Sequence, residues 1–216
     1  MAAPHTLHVG IIGAGMGGLS AAIALVRGGV KVTMLEAATE LGEIGAGIQI
    51  FPNVSRYLIR WEVDELIGDN LVSVSEVRTW ASDGTVVTRV DTEHVRRITG
   101  FPHWIARRDH LHAGLTESAR RHGVEILVGA RVQSLAYTDS SATVTTTSDA
   151  AHTFDLVVGA DGMRSTIRAH LFPTVQPRAP SVISPTGIAS RPRPPTPPSL
   201  QRHPSRAPQP PCRRRN

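Results

Sequence analysis

Gly13, Gly15 and Gly18 punctuate the stretch Val9-Gly10-Ile11-Ile12-Gly13-Ala14-Gly15-Met16-Gly17-Gly18, and Glu36 closes the next apolar run. Glycines at this spacing, between a strand and a helix, suit the holding of a pyrophosphate. Gly13 permits a tight turn off the strand. Gly15 lacks a Cβ, so a phosphate can come close to the backbone. Gly18 lets the helix pack tightly on the sheet. The helix N-terminus then presents free N–H groups and the positive end of its dipole. Glu36 follows about 20 residues on, where a carboxylate can accept both hydroxyls of an adenosine ribose. The chemistry these residues describe is dinucleotide binding. No catalytic nucleophile and no metal-ligand cluster stands out in the sequence, which leaves the catalytic residues unknown.

A glycine pattern carries weight only where its flanks form the right elements. His8 to Ile12 is apolar enough for a buried strand. Leu19, Ala22, Ile23 and Val26 recur at helical spacing, and Gly28-Gly29 ends that helix. Val30 to Leu35 reads as a second buried strand. Leu41 to Ile50 is a second glycine-dense loop. Pro52 precedes a short helix over Asn53 to Trp61, with Val54, Leu58 and Trp61 near one face. Val74 to Trp80 and Thr85 to Val90 alternate as strands around a Ser82-Asp83-Gly84 turn. Arg108 to His122 is an amphipathic helix with Leu111, Leu115 and Ala119 on its apolar side and Gly123 as its stop. Val124 to Val128 is a strand. Val132 to Tyr137, Ala142 to Thr147 and Thr153 to Val158 form a meander feeding a buried strand, and Met163 to Leu171 is a helix.

Composition divides the chain of 216 residues in two. From Pro173 to Asn216 there are eight arginines, 13 of the 16 prolines and no acid. The net charge of +5 therefore belongs to that segment, and residues 1–172 are net negative, with no sign of a nucleic-acid face. Pro and Arg at this density cannot bury a core, so residues 173–216 are expected to be a disordered, low-complexity tail. Cys212, the only cysteine, lies in it, which excludes an intramolecular disulfide and fits a reducing, cytoplasmic setting. Val9 to Val26 is interrupted by glycines and lacks a basic leader, so no membrane span is expected.

Asp155-Leu156-Val157-Val158-Gly159-Ala160-Asp161-Gly162 forms a second motif, a buried strand turning into a helix. Ligands bind at such carboxyl ends in open α/β sheets, but seen alone Asp161 reads as a cap of the helix. Together these segments strongly resemble the FAD-dependent aromatic monooxygenases of the salicylate hydroxylase and para-hydroxybenzoate hydroxylase type. The family's fingerprint matches Gly13, Gly15, Gly18 and Glu36. Its flavin-side loop is similar to Gly45-Ala46-Gly47-Ile48, its helix-starting arginine in an R-x-x-L setting to Arg108 and Leu111, and its D-G motif to Asp161-Gly162, with Ser165 and Arg168 beyond.

The resemblance implies an α/β, Rossmann-like FAD-binding domain over residues 1–172, with a parallel sheet and a β-meander. It implies FAD as cofactor, held by Gly13, Gly15, Gly18, Glu36, Ala46, Gly47, Arg108, Asp161 and Gly162. NAD(P)H is the implied transient co-substrate, and a small aromatic substrate and O₂ are the implied reactants. Family members continue into a large substrate-facing sheet and a later G-D-A-x-H…P segment. The chain turns instead to Pro/Arg-rich text, so the substrate domain is expected to be largely missing and the chain truncated or frame-shifted. Two other readings stand beside the enzyme: a non-catalytic remnant that binds FAD weakly, and an interaction protein acting through Arg191-x-x-Pro194-x-x-Pro197. Other residues read more plainly. Arg107 and Arg108 read by themselves as solvated first-turn residues, and the family resemblance alone gives Arg108 a role. His110 and His112 stand two apart on a helix and make a poor metal pair. His5 and His8 lie at a frayed terminus. Trp61, Trp80 and Trp104 belong to core or rim, and Asn53 either approaches the flavin or begins a helix.

Overall fold

The structure is a computed structural model that describes residues 6–42 and 45–175. In chain order, strand β1 (His8–Ile12) leads into helix α1 (Met16–Arg27) and strand β2 (Lys31–Leu35). An excursion follows: β3 (Gly47–Ile50), α2 (Pro52–Arg60), α3 (Val63–Ile67), β4 (Val72–Ser73), β5 (Glu76–Trp80), β6 (Val86–Asp91), α4 (Thr92–Thr99) and β7 (Trp104–Arg107). Helix α5 (Arg108–Arg121) returns to β8 (Glu125–Leu127). Strands β9 (Val132–Tyr137), β10 (Ala142–Thr146) and β11 (Ala151–Phe154) precede β12 (Leu156–Gly159) and α6 (Thr166–Leu171).

Four strands form a parallel sheet in the order β12-β1-β2-β8, and β11-β10-β9 form an antiparallel meander. Side chains alternate across the parallel sheet, as the period of a strand requires. Val9 and Ile11 of β1 and Val32 and Met34 of β2 face Leu19, Ile23, Leu111, Leu115 and Ala119 of α1 and α5. Ile12 and Leu35 face the other way, onto Val132 and Val144 of the meander, Phe154 and Ile167. The sheet is thus covered on both faces, which is why its two central strands read as nearly continuous apolar runs. In the excursion β3-β7-β4 form a small antiparallel sheet, and β5 and β6 pair as a ribbon in which every residue of β6 is exposed.

The structure corrects several expectations. Thr153 to Val158 is two strands in two sheets. The chain breaks at Asp155, whose carboxylate accepts from the His8 amide at 2.7 Å while its own amide donates to the His8 carbonyl at 2.9 Å. The last helix starts at Thr166 rather than Met163, because Gly162 at φ 77° turns the chain and Ser165 caps the helix. On α2 the buried positions are Ser55 and Leu58, with Val54 exposed. Ser55 is drawn inward by its hydrogen bond to the Pro102 carbonyl at 2.7 Å. His8 is part of β1, its Nε2 3.0 Å from Thr33 Oγ1, and not frayed. Trp80 is exposed, while Trp61 and Trp104 pack against the core. Asn53 lies in the first turn of α2, behind Pro52 at its start. His5, Cys212, Arg191, Pro194 and Pro197 lie outside the described residues, as does the expected tail beyond Val175.

Candidate functional site

The carboxyl ends of β1, β2 and β12 meet at a cleft of about 310 Å³. Gly13, Gly15, Glu36, Asp161 and Gly162 all line it, joined by Ala130 and Arg131 at the entry to β9 and by Arg164. Gly13 stands at φ 101°, and a Cβ there would lie 2.5 Å from the Ala160 carbonyl oxygen. Its amide donates to the Leu35 carbonyl at 2.8 Å, which pins the turn to the end of β2. A Cβ on Gly18 would lie 2.0 Å from the Gly13 carbonyl oxygen, so this glycine sets how closely α1 approaches the turn. Gly15 is different: nothing lies within 4 Å of its Cβ position. The space in front of it is open to a ligand.

No side chain caps α1, and its first turn holds no acid. The first amides of a helix have no partner within it, so an anion at this end would find unclaimed donors and a favourable dipole. The Glu36 carboxylate accepts from the Ala14 amide at 2.6 Å and from the Ala38 amide at 2.8 Å. It is therefore held rigidly at the lip of the cleft, with lone pairs remaining for further donors. The Asp161 carboxylate is committed to α6. It accepts from Ser165 Oγ at 2.5 Å, from the Thr166 amide at 2.6 Å and from the Ile167 amide at 3.2 Å. The capping reading of Asp161 describes this geometry, and the residue forms part of the cleft wall at the same time.

Ala46, Gly47 and Arg108 do not line this cleft. They belong to the β3–β7 side of the molecule. Gly47 pairs with Arg107 across β3 and β7, which sets the glycine loop beside the start of α5. A Cβ on Gly45 would lie 2.8 Å from Arg108 Cδ, so the loop lies against the aliphatic stem of that arginine. Arg107 is engaged with Asp109 at 3.1 and 2.5 Å. Partial burial pushes the Asp109 carboxyl up, but the Arg107 and His110 hydrogen bonds outweigh it and hold the pKa below the ordinary range.

Arg131, Arg164 and His112 carry no local sequence signal for a role at the cleft. Arg131 arrives through a turn in which the Ala130 amide donates to the Glu36 carbonyl at 2.8 Å, a contact between distant parts of the chain. His112 is 4% exposed, and its Nε2 lies 2.8 Å from the carbonyl oxygen of Ala14, between the first two glycines of the turn. Among the described residues no group of His, Cys, Asp and Glu could hold a metal ion. No helix among them is long and apolar enough to cross a membrane.

A family model described as FAD binding domain matches residues 6–183. The chain belongs to that family. It is the FAD-binding domain of the group A flavin monooxygenases, and FAD is the cofactor that this domain binds. It is 37% identical over 170 residues to a FAD-dependent monooxygenase of Beauveria bassiana, covering 77% of this chain and 40% of that protein. It is 39% identical over 168 residues to a 3-hydroxybenzoate 6-hydroxylase of Polaromonas naphthalenivorans, covering 76% of this chain and 42% of that one. A solved tetrameric form of 2-methyl-3-hydroxypyridine-5-carboxylic acid oxygenase matches with a TM-score of 0.65 and 30% identity, over 77% of this chain and 42% of that one. The chain thus spans about two fifths of the length of these curated relatives.

Proposed function

We propose that this FAD-binding domain serves an NAD(P)H- and O₂-dependent monooxygenase that hydroxylates a small phenolic substrate, and that the cleft at the Gly13 turn holds the ADP half of FAD. The observation that carries the site is the open Gly15 position in front of an uncapped helix, with a fixed carboxylate beside it. Gly13 and Gly18 shape the turn. Gly15 and the first amides of α1 receive the pyrophosphate. Glu36 accepts the ribose hydroxyls, and Asp161 and Gly162 form the opposite wall, with Asp161 acting through α6. Arg108, braced against Gly45 and beside Ala46 and Gly47, belongs to the flavin side of the same cofactor. When bound, FAD supplies the hydride acceptance and oxygen activation that the reaction needs. The described residues supply binding, orientation and a fixed negative charge. The relatives' aromatic substrates support the substrate class, and the single cysteine fits a reducing, cytoplasmic setting. On this reading residues 1–172 are the cofactor-binding part.

Titration of the purified chain with FAD tests the site, read by flavin fluorescence and by calorimetry. Glu36→Ala is expected to weaken binding by about 1.5–3 kcal/mol, the scale of hydrogen bonds to a charged acceptor. Equal binding by wild type and variant removes Glu36 from the site. NAD(P)H consumption, peroxide release and product formation with a panel of phenols test the reaction itself.

A further inference from the structure

Ala14 is held on both sides by distant parts of the chain. Its N–H donates to Glu36 Oε2 at 2.6 Å, and its carbonyl oxygen lies 2.8 Å from His112 Nε2. A carbonyl can only accept, so this contact requires a proton on Nε2 of the imidazole. The two bonds act on two successive peptide planes. Glu36 fixes the Gly13–Ala14 plane through its N–H. His112 fixes the Ala14–Gly15 plane through its C=O. In a trans peptide the C=O and the N–H of one plane point in opposite directions. Drawing the Ala14 carbonyl towards α5 therefore aims the Gly15 N–H away from α5.

His112 is well placed to hold that direction. It is 4% exposed and sits in the second turn of α5, whose neighbouring residues Leu111 and Leu115 belong to the central core. It follows Arg108 by one helical turn, so the two project from the same face of α5. One meets the Gly45 loop and the other the pyrophosphate turn. A donor on the carbonyl also polarises the peptide, which makes its N–H a better donor in turn.

We propose that His112 is a positioning residue for the pyrophosphate turn: its Nε2–H holds the Ala14 carbonyl so that the Gly15 amide faces the phosphates. The proposal rests on the reading of the cleft as the FAD site. A buried histidine that merely fills space would serve as well with any side chain of similar volume. A positioning histidine needs a donor at that point.

The test compares His112→Leu, which keeps volume and loses the donor, with His112→Gln, which keeps an N–H donor. Binding of FAD, ADP and adenosine is measured on the apo protein by calorimetry. The leucine variant is expected to bind FAD and ADP about tenfold more weakly, as loss of a hydrogen bond that organises a charged contact implies. Its adenosine affinity should hold, since adenosine has no phosphate. The glutamine variant should stay within about twofold of wild type for all three. Two ligand-free readouts accompany these. Nitrogen-15 NMR of wild type should show His112 as the Nε2–H tautomer, and the Gly15 amide resonance, less polarised without a donor on the Ala14 carbonyl, should move upfield in the leucine variant alone. Equal ADP binding by the leucine variant and wild type overturns the proposal. So does a parallel loss of adenosine and ADP affinity, or an Nδ1–H tautomer. If the leucine variant does not fold, the tautomer and the glutamine variant still decide. If wild type binds neither FAD nor ADP, the cleft reading fails, and the tautomer and the Gly15 amide shift decide His112 separately.

Discussion

Two strand-to-helix turns stand side by side at one edge of the parallel sheet, because β1 and β12 are paired neighbours. At the first, β1 passes through Gly13 and Gly15 into α1, and no side chain caps the helix. At the second, β12 passes through Asp161 and Gly162 into α6, and the helix is closed by its own residues. Ser165 Oγ accepts from the Arg168 amide at 2.8 Å, and Asp161 takes the Thr166 and Ile167 amides. The backbone path is similar and the outcome opposite. Where the sequence supplies glycine, the helix amides stay open for a ligand. Where it supplies Asp and Ser, they are satisfied at once, and the turn becomes a rigid wall. Glycine identity also means different things within the first turn: Gly18 is small because the Gly13 carbonyl is in the way, and Gly15 is small with empty space before it.

That contrast can be broken by substitution. The largest effect is expected from Gly18→Ala, whose new methyl would fall 2.0 Å from the Gly13 carbonyl oxygen. Overpacking against backbone should remove about 3 kcal/mol of stability, read by urea denaturation. A loss well below that would show that α1 can shift without harm to the turn.

Gly15→Ala should separate binding from folding. Its φ of −71° suits alanine and its Cβ meets nothing, so stability should change by less than about 1 kcal/mol. FAD affinity should fall by about 1.5–3 kcal/mol, because the methyl occupies the approach of the phosphates and costs their charged hydrogen bonds. Unchanged FAD affinity would place the pyrophosphate elsewhere.

Asp161→Ala should show the reverse balance. Loss of the α6 cap is expected to cost about 1 kcal/mol of stability, with FAD affinity reduced less than by Glu36→Ala. Thermal denaturation and FAD titration of the same samples check both halves. A larger binding loss than for Glu36→Ala would make Asp161 a direct ligand and erase the distinction between the two turns.

The smallest effect lies outside both turns. His103 is 4% exposed, lies against Phe51 with ring centroids 4.5 Å apart and has no hydrogen-bond partner for Nε2 among the described residues. Burial lowers its pKa, so the fold holds it neutral. The unfolded chain gains this proton below about pH 6.5. The stability involved is present above that pH and lost as pH falls towards the lowered value in the fold. Denaturation midpoints from pH 7.5 to 5 should show less acid loss in His103→Phe than in wild type. An unchanged slope would assign the loss to other groups, His8 first, whose pKa burial also lowers.

Local spacing alone determined the β1–α1–β2 unit, the course of α5 and the change of texture at Pro173. Each is set by residues a few positions apart: glycines at a turn, apolar side chains at helical period, prolines that cannot join a sheet. The glycine loop at Gly45–Gly47 and Arg108 were legible through their resemblance to a family, and the structure adds their contact. Tertiary structure decided the rest. Pairing of β12 with β1 brought Asp161 to the Gly13 turn. The bend at Asp155 moved the chain from the meander to the parallel sheet, a break that a continuous apolar run conceals. Arg131 reached the cleft because the Ala130 amide meets the Glu36 carbonyl, and His112 met Ala14 because α5 packs on α1. Short-range periodicity specifies which face of an element is apolar. It does not say which distant element will cover that face, and that choice fixed the wall of the cleft and the histidine behind its turn.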